Sequence, residues 1–373
     1  MRGGEYVLEA MAELFSRPKL FTLLYIRGAI EGPIAELDCT TSWLQHVPGA
    51  SRHYRHFLPL MPQMVSSLDV SGFELVVSSS HCVAKGVRKA PEAVHVSYVH
   101  APMRYMWERF DDYFGAGRAR LDVRAAAHAF RSYLQSWDRF VSSADRVDVL
   151  IANSSFIADQ IRRAYGREAR VVHPFVDLSR FRRPRAPGPH YLMVGAFAPN
   201  KRVDLAVEAF TRLRLPLLIV GRGSNEARLR AMAGPTVKFL GPLSNRSIEE
   251  LYATARAFVF PGVEDFGITP LEAMASGLPV IAYAAGGALE TVVDAQSGLF
   301  FHQATVESLG AAVERIERGS VTFDEKTVRA RANAFTKDLF QRGLLCEIRA
   351  AWAASGKPLS ALEGALNPAF RRS

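Results

Sequence analysis

Two carboxylates eight positions apart, Glu264 and Glu272, have the residue type and surroundings for chemistry on a charged ligand. The apolar run at residues 257–260 just before them predicts a buried parallel strand, and Pro261-Gly262 ends that strand. Open α/β sheets bind ligands at the carboxyl ends of their strands. Residues 258–277 therefore predict a ligand site at one end of a sheet.

The helix after this loop is expected to start with Thr269 as its N-cap and Pro270 as its first helical residue. Glu272 would then lie in the first turn, where backbone N–H groups and the helix dipole attract a phosphate or diphosphate. A single acid there is equally well explained as a partner of the dipole. Two acids on either side of a glycine-containing loop favour a ligand site.

A histidine and an arginine occupy a similar position in the first half of the chain. Residues 93–99 predict an apolar, β-branched strand, and His100 and Arg104 follow it. A lone histidine is usually structural. One that lies where strand, turn and helix meet favours catalysis or substrate binding.

Strand–helix alternation runs through both halves of the chain. It predicts an α/β protein with two doubly wound, Rossmann-like sheets that face a cleft. The 373 residues, 49% hydrophobic and 22% charged, are enough for two domains with buried cores. Glycines follow several predicted strands, and we expect the backbone to approach a ligand there: Gly221, Gly223, Gly286 and Gly287.

The predicted domains are an N-terminal one over residues 1–175 and a C-terminal one over residues 190–334. Residues 176–189, rich in proline and arginine, predict a linker whose arginines are solvated. Residues 335–354 predict a helix that crosses back onto the first domain. We expect residues 355–373 to form a loosely held tail.

The chain opens on Gly3 and Gly4, followed by apolar residues at helical spacing. A double glycine of this kind leads a nucleotide-type domain out of its first strand into a helix, yet no strand precedes it here. Without that central strand, the backbone N–H and C=O groups of the neighbouring strands would have no hydrogen-bond partners. We therefore expect a start codon assigned too far downstream.

The formal charge of +9 implies an anionic partner: a nucleotide diphosphate, an anionic lipid or a nucleic acid. Charge does not choose among them, but no recognition motif for nucleic acid accompanies it. Residues 51–62 mix cations and aromatics. They predict either a solvated helix or a surface for a phospholipid headgroup or a lipid-linked acceptor.

The three cysteines (Cys39, Cys82 and Cys346) are widely spaced, so the sequence indicates neither a disulfide framework nor a zinc site. They fit a reduced, cytoplasmic setting. No apolar run reaches the roughly 18–20 residues of a spanning helix, so any membrane contact is expected to be peripheral, on the cytoplasmic face. Residues 121–144 predict a long amphipathic helix with Trp137 and Phe140 in the core.

Six segments in this order carry a resemblance: residues 2–5, 79–86, 98–105, 152–154, 200–204 and 264–272. With them, the whole chain resembles a GT-B glycosyltransferase of the retaining family four. Its first half is similar to the mannosyltransferase-like members that act in O-antigen or exopolysaccharide assembly.

The resemblance implies a nucleotide sugar as substrate, with no further cofactor. On the donor side, Glu272 would hold the ribose hydroxyls and Glu264 would face the sugar near the reacting carbon. Lys201 would neutralise the diphosphate leaving group. Further donor-side contacts are implied for Phe266, Gly267, Ile268, Arg202, Gly195 and Gly221.

From the opposite domain, the resemblance implies that His100 contacts the donor sugar, with Gly3, Gly4 and Arg104 on the acceptor side. Stabilising the departing diphosphate and an oxocarbenium-like sugar suffices for the chemistry. The family needs no bound metal, and no paired aspartate motif is present to hold one.

One position departs from the family pattern. Many relatives carry an arginine five residues before the lysine, and Ala196 occupies that position here. The leading hypothesis is transfer of mannose from GDP-mannose to a lipid-linked or polysaccharide acceptor. The alternatives are a UDP- or ADP-sugar-dependent glucosyltransferase and an inactive nucleotide-sugar-binding partner of an assembly.

Overall fold

A computed structural model describes residues 3–108, 110–115 and 120–371, apart from the side chains of residues 55, 112 and 113. Arg2, part of the first motif, lies outside the described residues. The chain divides into two compact units, Met1–His173 with Phe340–Ser373, and Pro174–Leu339.

Twelve strands occur among the described residues. They are β1 (Leu20–Thr22), β2 (Cys39–Thr41), β3 (Leu75–Ser80), β4 (Val94–Val99), β5 (Val149–Ala152), β6 (Arg170–Val171), β7 (Tyr191–Val194), β8 (Leu217–Val220), β9 (Val237–Gly241), β10 (Phe258–Phe260), β11 (Val280–Tyr283) and β12 (Gly298–Phe301).

Fifteen α-helices occur among the described residues, and most strands from β4 onward are followed by one. They are α1 (Gly3–Ala12), α2 (Ala50–His53), α3 (Met61–Ser66), α4 (Phe110–Phe114), α5 (Leu121–Val141), α6 (Ser155–Tyr165), α7 (Val203–Leu213), α8 (Glu226–Met232), α9 (Asn245–Thr254), α10 (Ile268–Ala275), α11 (Ala288–Thr291), α12 (Val306–Glu317), α13 (Glu325–Ala332), α14 (Lys337–Ala354) and α15 (Leu359–Ala365).

The first unit contains a four-stranded parallel sheet in the order β3-β4-β5-β6 and a parallel pair, β1-β2. Every residue of β4 is buried, as expected for a parallel strand covered on both faces. The helix predicted after the double glycine is α1. The expectation of an upstream strand stays a prediction.

The second unit contains a six-stranded parallel sheet in the order β12-β11-β10-β7-β8-β9. Alternate residues of its central strands face two different apolar clusters: Phe258 and Phe260 belong to one, and Val259 to the other. Both faces of the sheet are therefore covered by helices. The repeated apolar runs of the sequence reflect this burial.

Two expectations about the periphery of the first unit are wrong. Phe140 is 59% exposed, whereas Trp137 packs against the core beside Gly86. The C-terminal segment is tied down rather than loose, because Asn367 N donates to Leu14 O at 2.9 Å and Arg349 makes two hydrogen bonds to Glu363. Glu363 lies in α15 and Asn367 lies just after it. The apolar spacing of this short segment did not indicate either contact.

In the described part of the chain, no helix combines the length and the apolar character needed to cross a bilayer.

Candidate functional site

The site in the second unit lies where its strand order reverses. The chain runs from β7 outward to β9 and then returns to β10 on the other side of β7. Loops leaving two such strands diverge and open a crevice at their carboxyl ends. The loop after β7 carries Lys201, and the loop after β10 carries Glu264.

Backbone hydrogen bonds hold three of these loops together. Val263 N donates to Asn200 O at 3.0 Å, and Gly287 N donates to Glu264 O at 2.9 Å. Gly262 is needed here because a side chain would overlap the backbone of Asn200. The loops after β7, β10 and β11 therefore form one rigid rim around the crevice.

Lys201 and Glu264 form an ion pair across this rim. Lys201 Nζ contacts Glu264 Oε1, and the two side chains are 23% and 16% exposed. Arg202 instead pairs with Asp204 at 3.2 Å in a more exposed position. The structure thus brings together two of the predicted donor-side residues and turns Arg202 toward another partner.

The helix at this rim starts earlier than the sequence analysis predicts. Gly267, at φ 93°, is the N-cap, and α10 begins at Ile268, so Thr269 is not the cap. Glycine takes this left-handed conformation without strain, which lets the turn close two residues sooner. Glu272 is consequently the fifth residue of α10 and lies beyond its first turn. The N–H groups of Ile268 and Thr269 lie within that first turn and have no intrahelical acceptor.

Glu272 has two partners that the sequence did not reveal. Tyr252 OH donates to its carboxylate at 3.1 Å, and Arg180 lies 3.6 Å away while also bonding Glu249 at 3.1 Å. Burial raises the pKa of Glu272, and the charge of Arg180 partly offsets this. The carboxylate is therefore held in a fixed orientation by Tyr252 and Arg180.

The expectation of solvated linker arginines is wrong for Arg180 and Arg185. Arg180 is only 24% exposed, and Arg185 donates to the backbone oxygens of Tyr252 and Ala255. No local signal in the sequence could have shown this, because Arg180 and Glu249 are 69 positions apart.

The glycines after the strands are explained by contacts within the unit. A side chain at Gly221 would overlap Gly195 O, and one at Gly287 would overlap the backbone of Phe266. The backbone of a neighbouring loop thus lies close to each of these two glycines, where the sequence analysis expected a ligand. Ligand contacts of Gly195, Gly221, Phe266, Gly267 and Ile268 stay predictions.

A second cluster of predicted residues lies in the first unit, at the carboxyl ends of β3, β4 and β5. The rings of His81 and His100 stack, with their centroids 3.9 Å apart and an interplanar angle of 9°. Ser79 Oγ is 2.8 Å from His100 Nε2, and Asn153 Nδ2 donates to His100 O at 3.1 Å. His100 is therefore fixed through both its ring and its backbone.

The histidines of this cluster have lowered pKa values. Burial lowers the pKa of His100 well below its ordinary value, and the neighbouring His81 and Arg104 add to the shift. Burial and Arg104 lower the pKa of His81 to about 4. More than a third of His81 is open to solvent, so screening weakens this shift, whereas His100 is 7% exposed.

Gly4 joins the cluster through His81, since a side chain at Gly4 would overlap the His81 ring. Gly3 begins α1 beside it. His81, which the sequence analysis included only within a motif, is thus the residue that connects Gly4 with His100.

Side chains that could ligate a metal ion are scattered over the described chain. Within residues 3–108, 110–115 and 120–371, no group of three or more His, Cys, Asp and Glu side chains is arranged to hold a metal ion. The expectation of metal-independent chemistry stays a prediction.

Two family models match the chain. The one described as Glycosyltransferase Family 4 matches residues 6–180, and the one described as Glycosyl transferases group 1 matches residues 178–337. Together the two matches cover residues 6–337, so most of the chain is similar to glycosyltransferases of these two families. The resemblance is supported at this level, and residues 2–5 lie outside both matched ranges.

Curated relatives match parts of this chain. A GDP-mannose-dependent alpha-mannosyltransferase of Mycolicibacterium smegmatis is 41% identical over 107 residues, 28% of each chain. A glycogen synthase of Mycobacterium tuberculosis is 32% identical over 206 residues, 50% of this chain and 48% of the relative. The chain spans about half or less of the length of these relatives.

Solved structures match nearly the whole chain. Sucrose-phosphate synthase from Thermosynechococcus elongatus has a TM-score of 0.70 at 20% identity, covering 94% of this chain and 93% of that one. Anabaena Alr3699/HepE in complex with UDP and glucose has a TM-score of 0.65 at 14% identity, covering 93% and 96%. The predicted GT-B fold, two α/β domains with parallel sheets, is confirmed.

Proposed function

We propose that this glycosyltransferase moves a hexose from a nucleotide sugar to a lipid-linked or polysaccharide acceptor in cell-surface glycan synthesis. The donor we propose is GDP-mannose, and the transfer retains the anomeric configuration. Retention follows the family resemblance and rests on no carboxylate spacing in this chain.

The observation that carries the proposal is the ion pair of Lys201 and Glu264 at the reversal point of the second unit's sheet. A diphosphate bound there would draw Lys201 away from Glu264, because a doubly charged group attracts the ammonium more strongly than one carboxylate. Glu264 is then free to face the positive charge that develops on the sugar. Lys201 meanwhile stabilises the departing diphosphate.

Binding of the nucleotide is assigned to the neighbouring residues. The carboxylate of Glu272, oriented by Tyr252 and Arg180, would accept hydrogen bonds from the two ribose hydroxyls. The first turn of α10 offers N–H groups for a phosphate or for the sugar. Arg202, now paired with Asp204, could exchange partners to supply the charge that Ala196 lacks.

His100 is assigned to the sugar itself. Its ring is neutral, so it is suited to hydrogen bonding with hydroxyl groups rather than to pairing with phosphate. Gly3, Gly4 and Arg104 are assigned to the acceptor. We further propose that residues 51–62 contact an anionic membrane, since Arg52, His53 and His56 are exposed there.

The choice of GDP-mannose is supported by the 41% identity to a GDP-mannose-dependent enzyme over 107 residues. A glucosyl donor activated by UDP or ADP is the second candidate. The partial match to a glycogen synthase favours it.

Thermal-shift measurements with GDP, UDP and ADP distinguish the two donors. A ligand that binds only the folded state raises the melting temperature, and at a hundredfold excess over its Kd it stabilises by about 2.7 kcal/mol. We expect GDP to give the largest rise. A larger rise with UDP or ADP would overturn the mannose assignment.

Catalysis is tested separately with Glu264→Gln, which keeps the shape and removes the charge. We expect release of nucleotide from the cognate nucleotide sugar to fall strongly while the thermal shift persists. Glu314→Gln, an exposed position of α12, is the matched control. Tight nucleotide binding without turnover in the unchanged chain would instead favour an inactive binding partner.

A further inference from the structure

A buried ion pair contacts the loop that carries His100 and Arg104. Lys85 Nζ is 2.6 Å from Asp138 Oδ1, and neither side chain has exposed surface. Lys85 belongs to the turn after β3, and Asp138 belongs to α5. Removing two charges from water is costly, and apolar residues can often replace such pairs without loss of stability. Stability alone therefore gives little reason for a pair at this place.

The other carboxylate oxygen of Asp138 accepts hydrogen bonds from the loop. Trp107 Nε1 donates to Asp138 Oδ2 at 2.8 Å, and the backbone N of Met103 lies 3.4 Å from the same oxygen. Both donors follow His100 closely in the chain. The carboxylate thus restrains the loop on both sides of Arg104.

Further side chains of α5 hold the same loop. Gln135 Nε2 donates to Met106 O at 2.7 Å, and Arg131 Nε donates to it at 3.2 Å. The loop is consequently bonded to α5 through several side chains, and of these the Asp138 carboxylate is fully buried.

Tyr165 reaches the same oxygen from another helix. Its hydroxyl donates to Asp138 Oδ2 at 2.9 Å, and it belongs to α6, which carries none of the proposed site residues. Burial and the charge of Asp138 hold the pKa of Tyr165 well above its ordinary value, so the hydroxyl remains a donor. Tyr165 and Trp107 therefore make equivalent bonds to one atom, but only Trp107 lies on the loop.

We propose that Asp138, held in place by Lys85, is a positioning residue that fixes the loop from His100 to Trp107 in the geometry required for sugar transfer. The proposal rests on the proposed function, which assigns His100 and Arg104 to the substrates. It extends that function to residues that no family match assigns.

Trp107→Phe and Tyr165→Phe form a matched pair for testing this. Each removes one donor to Asp138 Oδ2 and keeps an aromatic ring. We expect Trp107→Phe to lower kcat by roughly tenfold to a hundredfold, because small misplacements of substrate-contacting groups have effects of that size. Tyr165→Phe should leave kcat within about twofold, with a similar fall in melting temperature. Equal losses of kcat in the two variants would overturn the proposal.

The double variant Lys85→Met/Asp138→Leu separates positioning from nucleotide binding. We expect its melting temperature to fall, because the donors of Trp107 and Tyr165 lose their acceptor. Its thermal shift with nucleotide should persist, while kcat falls on the order of a hundredfold. A folded double variant with full kcat would show that the pair has no positioning role.

Amide hydrogen exchange of residues 101–107 makes the test independent of the enzyme assay. Trp107→Phe should speed exchange in this loop, and Tyr165→Phe should not. If the unchanged chain binds nucleotide but transfers no sugar, the proposed function fails, and the exchange rates still decide whether Asp138 fixes the loop. An unchanged exchange rate of this loop in Trp107→Phe would contradict the positioning role of Asp138.

Discussion

The two candidate clusters of this chain differ in their electrostatics. In the second unit, Lys201 pairs with Glu264 and Arg180 with Glu272, so the site consists of charges that can exchange partners. In the first unit, burial keeps the His100 ring neutral, and His81 stacks on it in a more exposed position. The contrast fits the two tasks that we propose: compensating a diphosphate whose charge changes during reaction, and hydrogen bonding to sugar hydroxyls whose charge does not.

The charged cluster should be the more sensitive of the two to loss of one residue. We expect Lys201→Met to lower kcat/KM by about 10²–10³, which corresponds to about 2.7–4 kcal/mol of transition-state stabilisation. Initial rates of nucleotide release measure this. Arg212→Met on α7, an exposed cation in the same unit, is the control. A Lys201→Met variant with more than half of the original rate would remove the basis for the contrast.

The buried histidines of the first unit should affect the pH dependence of stability. His95, which is 1% exposed and lies near the start of β4, at the end of the strand away from His100, has its pKa lowered to about 4 by burial. Because the folded pKa lies below the unfolded value, stability is fully present above about pH 6.5 and is lost as pH falls toward 4.

For His95 alone the expected slope is about 1.4 kcal/mol per pH unit between about pH 6 and 4.5, and about 3 kcal/mol over the whole interval. His100 adds to the loss in the same direction. Denaturant unfolding at several pH values measures the slope. His56→Asn, an exposed substitution, should leave it unchanged. Stability that stays constant from pH 7 to 4.5 would show that the histidines are not held neutral.

The rigid rim of the charged cluster can be tested at Gly287. A methyl group there would overlap the backbone of Phe266, so we expect Gly287→Ala to lower the free energy of unfolding by about 1–3 kcal/mol. Gly310→Ala, on α12 with open space around the new methyl group, should stabilise by up to about 1 kcal/mol. Urea unfolding of both variants measures the difference, and equal effects would contradict the packing of the rim.

The smallest expected effect concerns Arg180. Arg180→Met removes the cation that offsets the raised pKa of Glu272, so the carboxylate becomes a poorer acceptor for ribose hydroxyls. We expect nucleotide affinity to fall about tenfold, or about 1.4 kcal/mol. Arg183→Met, whose partner Glu250 is exposed, should change it little. Calorimetric titration with the cognate nucleotide diphosphate would show whether both variants bind alike.

Local patterns in the sequence predicted much of the fold. Runs of buried apolar residues marked strands such as β4 and β10, and residues immediately after those strands marked the positions of His100 and Glu264. These signals are local because a parallel strand covered on both faces must be apolar over its whole length.

What the sequence did not predict depends on long-range or backbone geometry. The partners of Glu272 come from distant segments, and the start of α10 depends on the left-handed conformation of Gly267. The exposed side of α5 was also missed, because helical spacing places Phe140 near the core without showing whether anything covers it. The roles of individual site residues stay predictions until the variants are measured.

The first unit is assembled from two separated pieces of the chain, with Pro174–Leu339 between them. Gln341 donates to Ala10 O at 2.9 Å, and Asn367 N donates to Leu14 O at 2.9 Å. On the ribosome, α1 must therefore wait for residues made long after it, whereas the intervening segment emerges uninterrupted and can fold first. The half that carries the histidines is consequently expected to be the last to mature and the more dependent on protection by chaperones.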